Sequence, residues 1–267
     1  MSSMPDAPVA IRVRDLSRRF SGVNAVEDIT LSVRSGSRMG IIGPNGAGKT
    51  TLFNMLSGEL KPTSGGIELL GKDVTRVRPA RRVAMGLGRT YQITRVLTGL
   101  TVLENLVVAL HGLRRSKLLP IRPWRRYHEL IDAAEELATS FGLGHRLGIR
   151  AEALSHGELR ELDVCLALAL KPSVLLLDEP AAGLSPAERV DIQRLLKGLP
   201  SDLTLIMIEH DMDVLRGVVD ELTVLHLGRL VTQGTVLEVQ DNELVKELYL
   251  GKNQEIVSKT HPAGGAS

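Results

Sequence analysis

Gly43-Pro44-Asn45-Gly46-Ala47-Gly48-Lys49-Thr50 has the spacing G-x-x-x-x-G-K-[ST], which suits a loop that holds phosphate. Glycines let the backbone wrap around an anion and turn its N–H groups inward. The helix expected to follow adds its positive end. Lys49 is placed to reach the β- and γ-phosphates, and the Thr50 hydroxyl to ligate Mg²⁺. Asn45, Gly46, Ala47, Gly48 and Thr51 complete the candidate cradle.

A second chemical group ends the apolar run Val174–Leu177, where Asp178 and Glu179 stand side by side. Strand ends of an open α/β sheet face the ligand crevice. Asp178 can hold Mg²⁺ through water, and Glu179 can polarise an attacking water. Alone, such an acidic turn is common. Beside a phosphate loop it points to hydrolysis of a nucleoside triphosphate.

A third segment, Leu154-Ser155-His156-Gly157-Glu158, narrows the class. Ser155 and Glu158 have capping-box spacing, so the stretch begins a helix whether or not it binds anything. A helix N-terminus carrying a serine is also a ready phosphate site.

The elements that must position these groups follow from periodicity. Val9, Ile11 and Val13, then Ile29, Leu31 and Val33, alternate as half-buried strands do. A buried strand over 39–42 precedes the phosphate loop, a helix over 49–57 follows it, and another strand lies near 67–70. The middle of the chain is helical. Thr101 and Glu104 form a capping box, and 125–141 carries Tyr127, Leu130, Ala134, Leu137 and Phe141 at helical spacing. Beyond it, strands at 174–177 and 203–208 alternate with a helix opened by Ser185-Pro186-Ala187-Glu188 and a short helix over 211–219. Residues 223–227 and 230–232 read as a hairpin. Helices alternating with apolar strands predict a mostly parallel α/β sheet covered on both faces.

Composition limits the rest. Lys and Arg number 33 against 31 Asp and Glu, a net charge of +2 that argues against a general nucleic-acid binder. The single cysteine, Cys165, rules out a disulfide within the chain and reads as a core residue. No apolar run reaches the roughly 20 residues of a spanning helix, and Met1–Pro8 lacks a signal-peptide pattern. Arg76, Arg78, Arg81, Arg82 and Arg89, and later Arg114 to Arg126, form basic stretches. They read first as solvated faces, and otherwise as contacts to lipid headgroups or a membrane partner. Trp124 is either an anchor or core.

The ordered set of motifs resembles the ABC (ATP-binding cassette) ATPase family over residues 9–251, with 252–267 as a tail expected to be partly disordered. Residues 154–158 stand where that family has LSGGQ, departing at His156 and Glu158. By the same resemblance Phe20 matches the aromatic that stacks on adenine, and Gln92 the glutamine that touches Mg²⁺ and senses the membrane subunit. Gly183-Leu184-Ser185-Pro186 occupies the D-loop position without its usual Asp. His210 matches the histidine that holds the γ-phosphate and positions Glu179. The resemblance implies a P-loop fold with an antiparallel β part and an inserted helical subdomain at about 90–165. It implies ATP and Mg²⁺ as ligands and a head-to-tail pair of cassettes, in which Ser155, Gly157 and Glu158 meet the nucleotide held by the partner's loop. Multi-spanning permease subunits, and indirectly a solute-binding protein, would complete an importer, placing this chain on the cytoplasmic face of the inner membrane.

Residues 88–92 and 100–106, with Leu248-Tyr249-Leu250-Gly251, are similar to the branched-chain amino-acid importer branch, which also includes importers of urea and related solutes. A soluble ABC ATPase acting on nucleic acid or ribosomes is the alternative, but those proteins carry two cassettes or long coiled-coil arms. A GTPase is disfavoured because no Asn-Lys-x-Asp motif is present, and a non-catalytic nucleotide sensor is disfavoured by Glu179.

Overall fold

The computed structural model describes residues 8–90, 96–112 and 127–248. Two long strands open it, β1 (Val9–Phe20) and β2 (Val23–Arg34), paired antiparallel from Val9↔Arg34 to Phe20↔Val23. The alternation read from the sequence is the regular part of this longer ribbon. Ser21 and Gly22, with φ of 41° and 96°, turn it in two residues, as tight hairpins require. The chain crosses to a second sheet with β3 (Arg38–Ile42) and returns with β4 (Ser64–Leu69) and β5 (Lys72–Asp73). The first sheet is antiparallel, in the order β2-β1-β4-β5.

The second sheet adds β6 (Leu87–Arg89), β7 (Val174–Asp178), β8 (Thr204–Ile208), β9 (Glu221–His226) and β10 (Arg229–Thr235), in the order β10-β9-β3-β8-β7-β6. Strands β3, β6, β7, β8 and β9 run parallel, and β10 folds back on β9 as the expected hairpin. Helix α1 (Lys49–Ser57) lies between the sheets, where Leu52, Phe53 and Met55 share a core with Ile11, Leu16, Ile41 and Leu176. Helix α2 (Pro79–Ala84) precedes β6. The middle of the chain forms α3 (Val102–Gly112), α4 (His128–Ser140) and α5 (His156–Ala169). Helices α6 (Pro186–Lys197), α7 (Met212–Leu215) and α8 (Val236–Asp241) follow.

Strand β7 shows why its sequence is an unbroken apolar run. Val174 and Leu176 face the core around α1, while Leu175 and Leu177 face a second core with Val164, Ile192 and Leu196 of α5 and α6. A two-faced strand has no polar side to show. A third core joins Val102 and Leu106 of α3, Ala134 and Ala138 of α4, and Leu162 and Cys165 of α5. Burial there pushes the Cys165 thiol up, so it stays a protonated packing group.

Capping boxes at Ser155 and Ser185 open α5 and α6 as read. Thr101 and Glu104 make the same reciprocal bonds before α3. Three expectations shift. The helix placed from 125 begins at His128, Arg125 itself lying outside the described residues. The helix expected over 211–219 is one turn, Met212–Leu215, because Gly217 takes a left-handed φ of 72°. Helices α2 and α8 and strand β6 are too short for periodicity to show.

Candidate functional site

The phosphate loop joins β3 to α1 and is fixed by close backbone packing. Gly43 and Gly48 have φ of 152° and 95°. A Cβ on Gly43 would lie 2.1 Å from the Leu225 carbonyl oxygen, and one on Gly48 2.4 Å from that of Ala25. Only glycine permits the loop to seat between β2 and β9. Gly228 N donates to Ala47 O at 3.1 Å, closing the loop against the β9–β10 turn. The Lys49 ammonium donates to Gly43 O at 2.6 Å and Pro44 O at 3.1 Å. Thr50 is exposed and Thr51 half-buried on the first turn of α1, and Asn45 and Gly46 are exposed at the loop tip. Helix α1 has no side-chain cap and no acid in its first turn, so its positive end faces an anion site uncompensated.

Asp178 ends β7, 3% exposed. Burial, with the neighbouring Glu179 charge, raises its pKa above the ordinary value, and the positive charges of Arg89 and Lys49 only partly oppose this. The Arg89 guanidinium lies 3.4 Å from Asp178 Oδ2 and also donates to Asn54 Oδ1 at 2.7 Å and Ser57 Oγ at 2.5 Å. It therefore ties the acid to the helix that carries Lys49. Glu179 sits at φ 48°, a left-handed conformation unusual for a side-chain-bearing residue, held by its N–H bond to Ile208 O at 3.0 Å.

At the end of the neighbouring β8, Glu209 is 1% exposed. Its Oε1 accepts from His210 N at 3.0 Å and Asp211 N at 3.4 Å, and its Oε2 from Ala181 N at 3.2 Å. His210 Nδ1 lies 3.3 Å from the same carboxylate, and the imidazole is 65% exposed. Burial raises the Glu209 pKa, against those N–H bonds. One carboxylate thus orients both the histidine and the turn behind Glu179.

The strand order brings these pieces together. Strand β8 lies between β3 and β7, so the phosphate loop, His210 and the Asp178-Glu179 pair stand on the carboxyl ends of three neighbouring parallel strands. Phe20 ends β1, 41% exposed, with the Arg18 guanidinium 4.5 Å above its ring; it is a surface aromatic, not a core one. Gln92 lies outside the described residues.

Ser155 is the N-cap of α5. Its Oγ accepts from Glu158 N at 3.2 Å, and Glu158 Oε2 accepts from Ser155 N at 2.8 Å. Glu158 Oε1 takes the Arg146 Nε at 2.6 Å, so this carboxylate is engaged by the cap and by an arginine. Gly157 N donates to Glu188 Oε1 at 3.0 Å, and Glu188 also receives Ser185 N at 2.9 Å. His156 is exposed.

Sequence reasoning misses four residues here: Arg146 and Glu209 carry no signal, Glu188 is visible only as a helix cap, and Arg89 as one of a basic stretch. The basic stretch also needs correction. Arg82 is 1% exposed and Arg89 half-buried, not solvated. Their guanidinium groups are turned inward to carbonyls, hydroxyl and carboxylate groups.

A metal held here would need hard oxygen donors. The Thr50 hydroxyl and the Asp178 carboxylate are of that kind, and Mg²⁺ takes few protein ligands when phosphates supply the rest. No helix among the described residues is long and apolar enough to cross a membrane.

Comparison with known proteins agrees with this geometry. Residues 26–182 match the ABC transporter family. The high-affinity branched-chain amino acid transport ATP-binding protein LivG of Salmonella typhimurium is 37% identical over 250 residues, covering 91% of this chain and 98% of LivG. BraF of Pseudomonas aeruginosa, a protein of the same description, is 35% identical over 91% of this chain. A crystal structure of an ABC transporter's ATP-binding cassette in its ADP conformation superposes with a TM-score of 0.79 at 30% identity, over 91% of this chain and 99% of that one. The soluble alternative gives way to the transport reading. With its phosphate loop, acidic strand end and helical insertion in one cassette, the chain belongs to the ABC transporter family as an ATP-binding, ATP-hydrolysing subunit.

Proposed function

We propose that this chain hydrolyses ATP to drive an importer of branched-chain amino acids or a related small polar solute. The observation that carries the reading is the convergence of Lys49, Asp178, Glu179 and His210 on adjacent strand ends. The loop N–H groups and Lys49 hold the β- and γ-phosphates. Thr50 and Asp178, with Gln92, hold Mg²⁺, which supplies charge neutralisation on the phosphate oxygens when bound. Glu179 accepts a proton from the attacking water as its oxygen bonds the γ-phosphorus and the bond to the β–γ bridging oxygen breaks. His210, aimed by Glu209, holds the γ-phosphate, and Phe20 stacks on adenine. Catalysis is mainly positioning and charge stabilisation.

The start of α5 serves the second cassette of a head-to-tail pair, of the same or a related chain. The permease subunits lie in the membrane, with this chain on its cytoplasmic face, and a solute-binding protein acts through them. The cargo assignment leans on LivG and BraF, whose names state branched-chain amino acid transport. The test is uptake of labelled leucine, isoleucine and valine by the host with the gene deleted. Uptake should fall, return with the wild-type chain, and stay low with Glu179→Gln. Undiminished uptake would overturn the cargo. Undiminished ATP turnover by purified Glu179→Gln would overturn the role of that residue.

A further inference from the structure

The start of α5 poses an electrostatic problem that the family resemblance leaves open. Glu158 puts an anion where the family's LSGGQ has a neutral glutamine. Its carboxylate lies 2.8 Å from Ser155 N, beside the hydroxyl that would receive the partner's γ-phosphate. A phosphate received at Ser155 would be repelled by this carboxylate, the more so once water is excluded.

The fold supplies a counter-charge. Arg146 ends a turn of 3-10 helix, Gly144–Arg146, that follows α4. Its backbone is held at both ends, Arg146 N donating to Leu143 O at 2.9 Å and Ile149 N donating to Arg146 O at 2.8 Å. From that fixed base the guanidinium reaches Glu158 Oε1 at 2.6 Å. The side chains are 41% and 18% exposed. With the arginine partly exposed, the pair is expected to add only modestly to stability, so stability alone does not account for it.

We propose that Arg146 is a positioning residue for hydrolysis. It neutralises the Glu158 carboxylate and keeps it turned into the cap, so that Ser155 and Gly157 can receive the partner's γ-phosphate. The proposal rests on the reading of the α5 start as the site for the nucleotide of the second cassette. Glu188 is the other carboxylate there, on Gly157 N, and no arginine is paired with it among the described bonds. Neutralising Glu158 therefore leaves a single anion for the incoming phosphate to displace.

The test is a double-mutant cycle on the full chain. It reads steady-state ATP turnover and, separately, dimer formation in an ATP analogue with a nitrogen between the β- and γ-phosphorus, measured by analytical ultracentrifugation. Arg146→Ala should lower both by about tenfold or more, the factor that ~1.4 kcal/mol represents. In a Glu158→Gln background the same substitution should change either by less than about twofold, since the charge it answers is gone. Arg146→Lys should keep most of both readouts, and melting temperatures should stay within a few degrees of each other because the arginine side of the pair is solvent-exposed. Equal losses in the two backgrounds, or none in either, would overturn the proposal. Ser155→Ala tells its failure from that of the reading beneath it. If that substitution leaves dimerisation and turnover intact, the start of α5 is not a phosphate site and both fall. If it abolishes them while the cycle shows no coupling, only the role of Arg146 falls.

Discussion

Replacing Arg82 with methionine keeps an unbranched stem of similar reach and deletes the guanidinium. In the native chain that group is 1% exposed and donates to five backbone carbonyls: Met55 at 2.7 Å, Leu56 at 2.6 Å, Val77 at 3.0 Å, Val74 at 2.5 Å and, more weakly, Thr75 at 3.4 Å. Burial pulls its pKa down to about 10, so it remains a cation at neutral pH. Met55 and Leu56 lie in the last turn of α1, so the arginine caps the far end of the helix that begins at Lys49. A buried carbonyl left unpaired costs about 1–3 kcal/mol. Met55 O keeps Gly58 N at 3.2 Å and Val74 O keeps Val77 N at 2.9 Å, so Leu56 O and Val77 O bear the loss. At about 2 kcal/mol each they give about 4 kcal/mol, and relief of the buried charge offsets part of this, leaving ~3 kcal/mol. For a chain this size each kcal/mol moves Tm by about 2–4 °C, so a drop of roughly 6–12 °C is expected. Differential scanning calorimetry without nucleotide measures it. ATP affinity should fall as well, because the loosened helix presents Lys49 and the loop amides. A drop under about 3 °C, with unchanged affinity, would show that water re-pairs the carbonyls and that Arg82 does not anchor the helix.

Gly43→Ala should abolish binding of a fluorescent ATP analogue, because its Cβ would sit 2.1 Å from the Leu225 carbonyl; retained affinity would mean that β9 does not seat the loop. Glu209→Gln should lower turnover on the order of tenfold or more while sparing ATP binding, since one amide oxygen cannot serve the His210 and Ala181 N–H groups together; equal losses in binding and turnover would count against an orienting role. Glu161 is pushed up to about 7 by burial and by Asp191, Glu158 and Glu188. Between its ordinary pKa of 4.5 and 7 the folded chain binds a proton that the unfolded chain lacks, so stability falls as pH rises through that window. Glu161→Gln should remove this slope and raise Tm relative to wild type at pH 8 more than at pH 5.5; parallel pH profiles would refute it.

Much of the site could be read from the chain because its chemistry is local. The loop from Gly43 to Thr50 is contiguous, and Asp178-Glu179 ends a run whose apolar character follows from burial on both faces. Capping boxes at Thr101, Ser155 and Ser185 are three-residue signals and mark helix starts without any neighbour. What stayed hidden depends on distant partners. Arg82 and Arg89 stand among other arginines, and only α1, some 26 to 36 residues away in sequence, makes them interior groups. Glu209 adjoins the histidine that the sequence singled out, yet its importance comes from Ala181, 28 residues earlier. Arg146 and Glu188 converge on α5 from opposite sides in sequence; Arg146 belongs to no pattern, and the capping box that shows Glu188 says nothing of its bond to Gly157.

The bond from Gly157 N to Glu188 has a consequence for what the lone subunit can bind. Glu188 is tethered by the first turn of α6, where Ser185 holds its other oxygen. A tethered competitor acts at an effective concentration of millimolar or more, whatever the bulk solution contains. Free phosphate or sulfate would have to outcompete it unaided, so loose anions are expected to bind the amide poorly. If a second cassette docks here as proposed, its phosphate would have the whole of that interface to help displace the carboxylate, an advantage that a loose anion lacks.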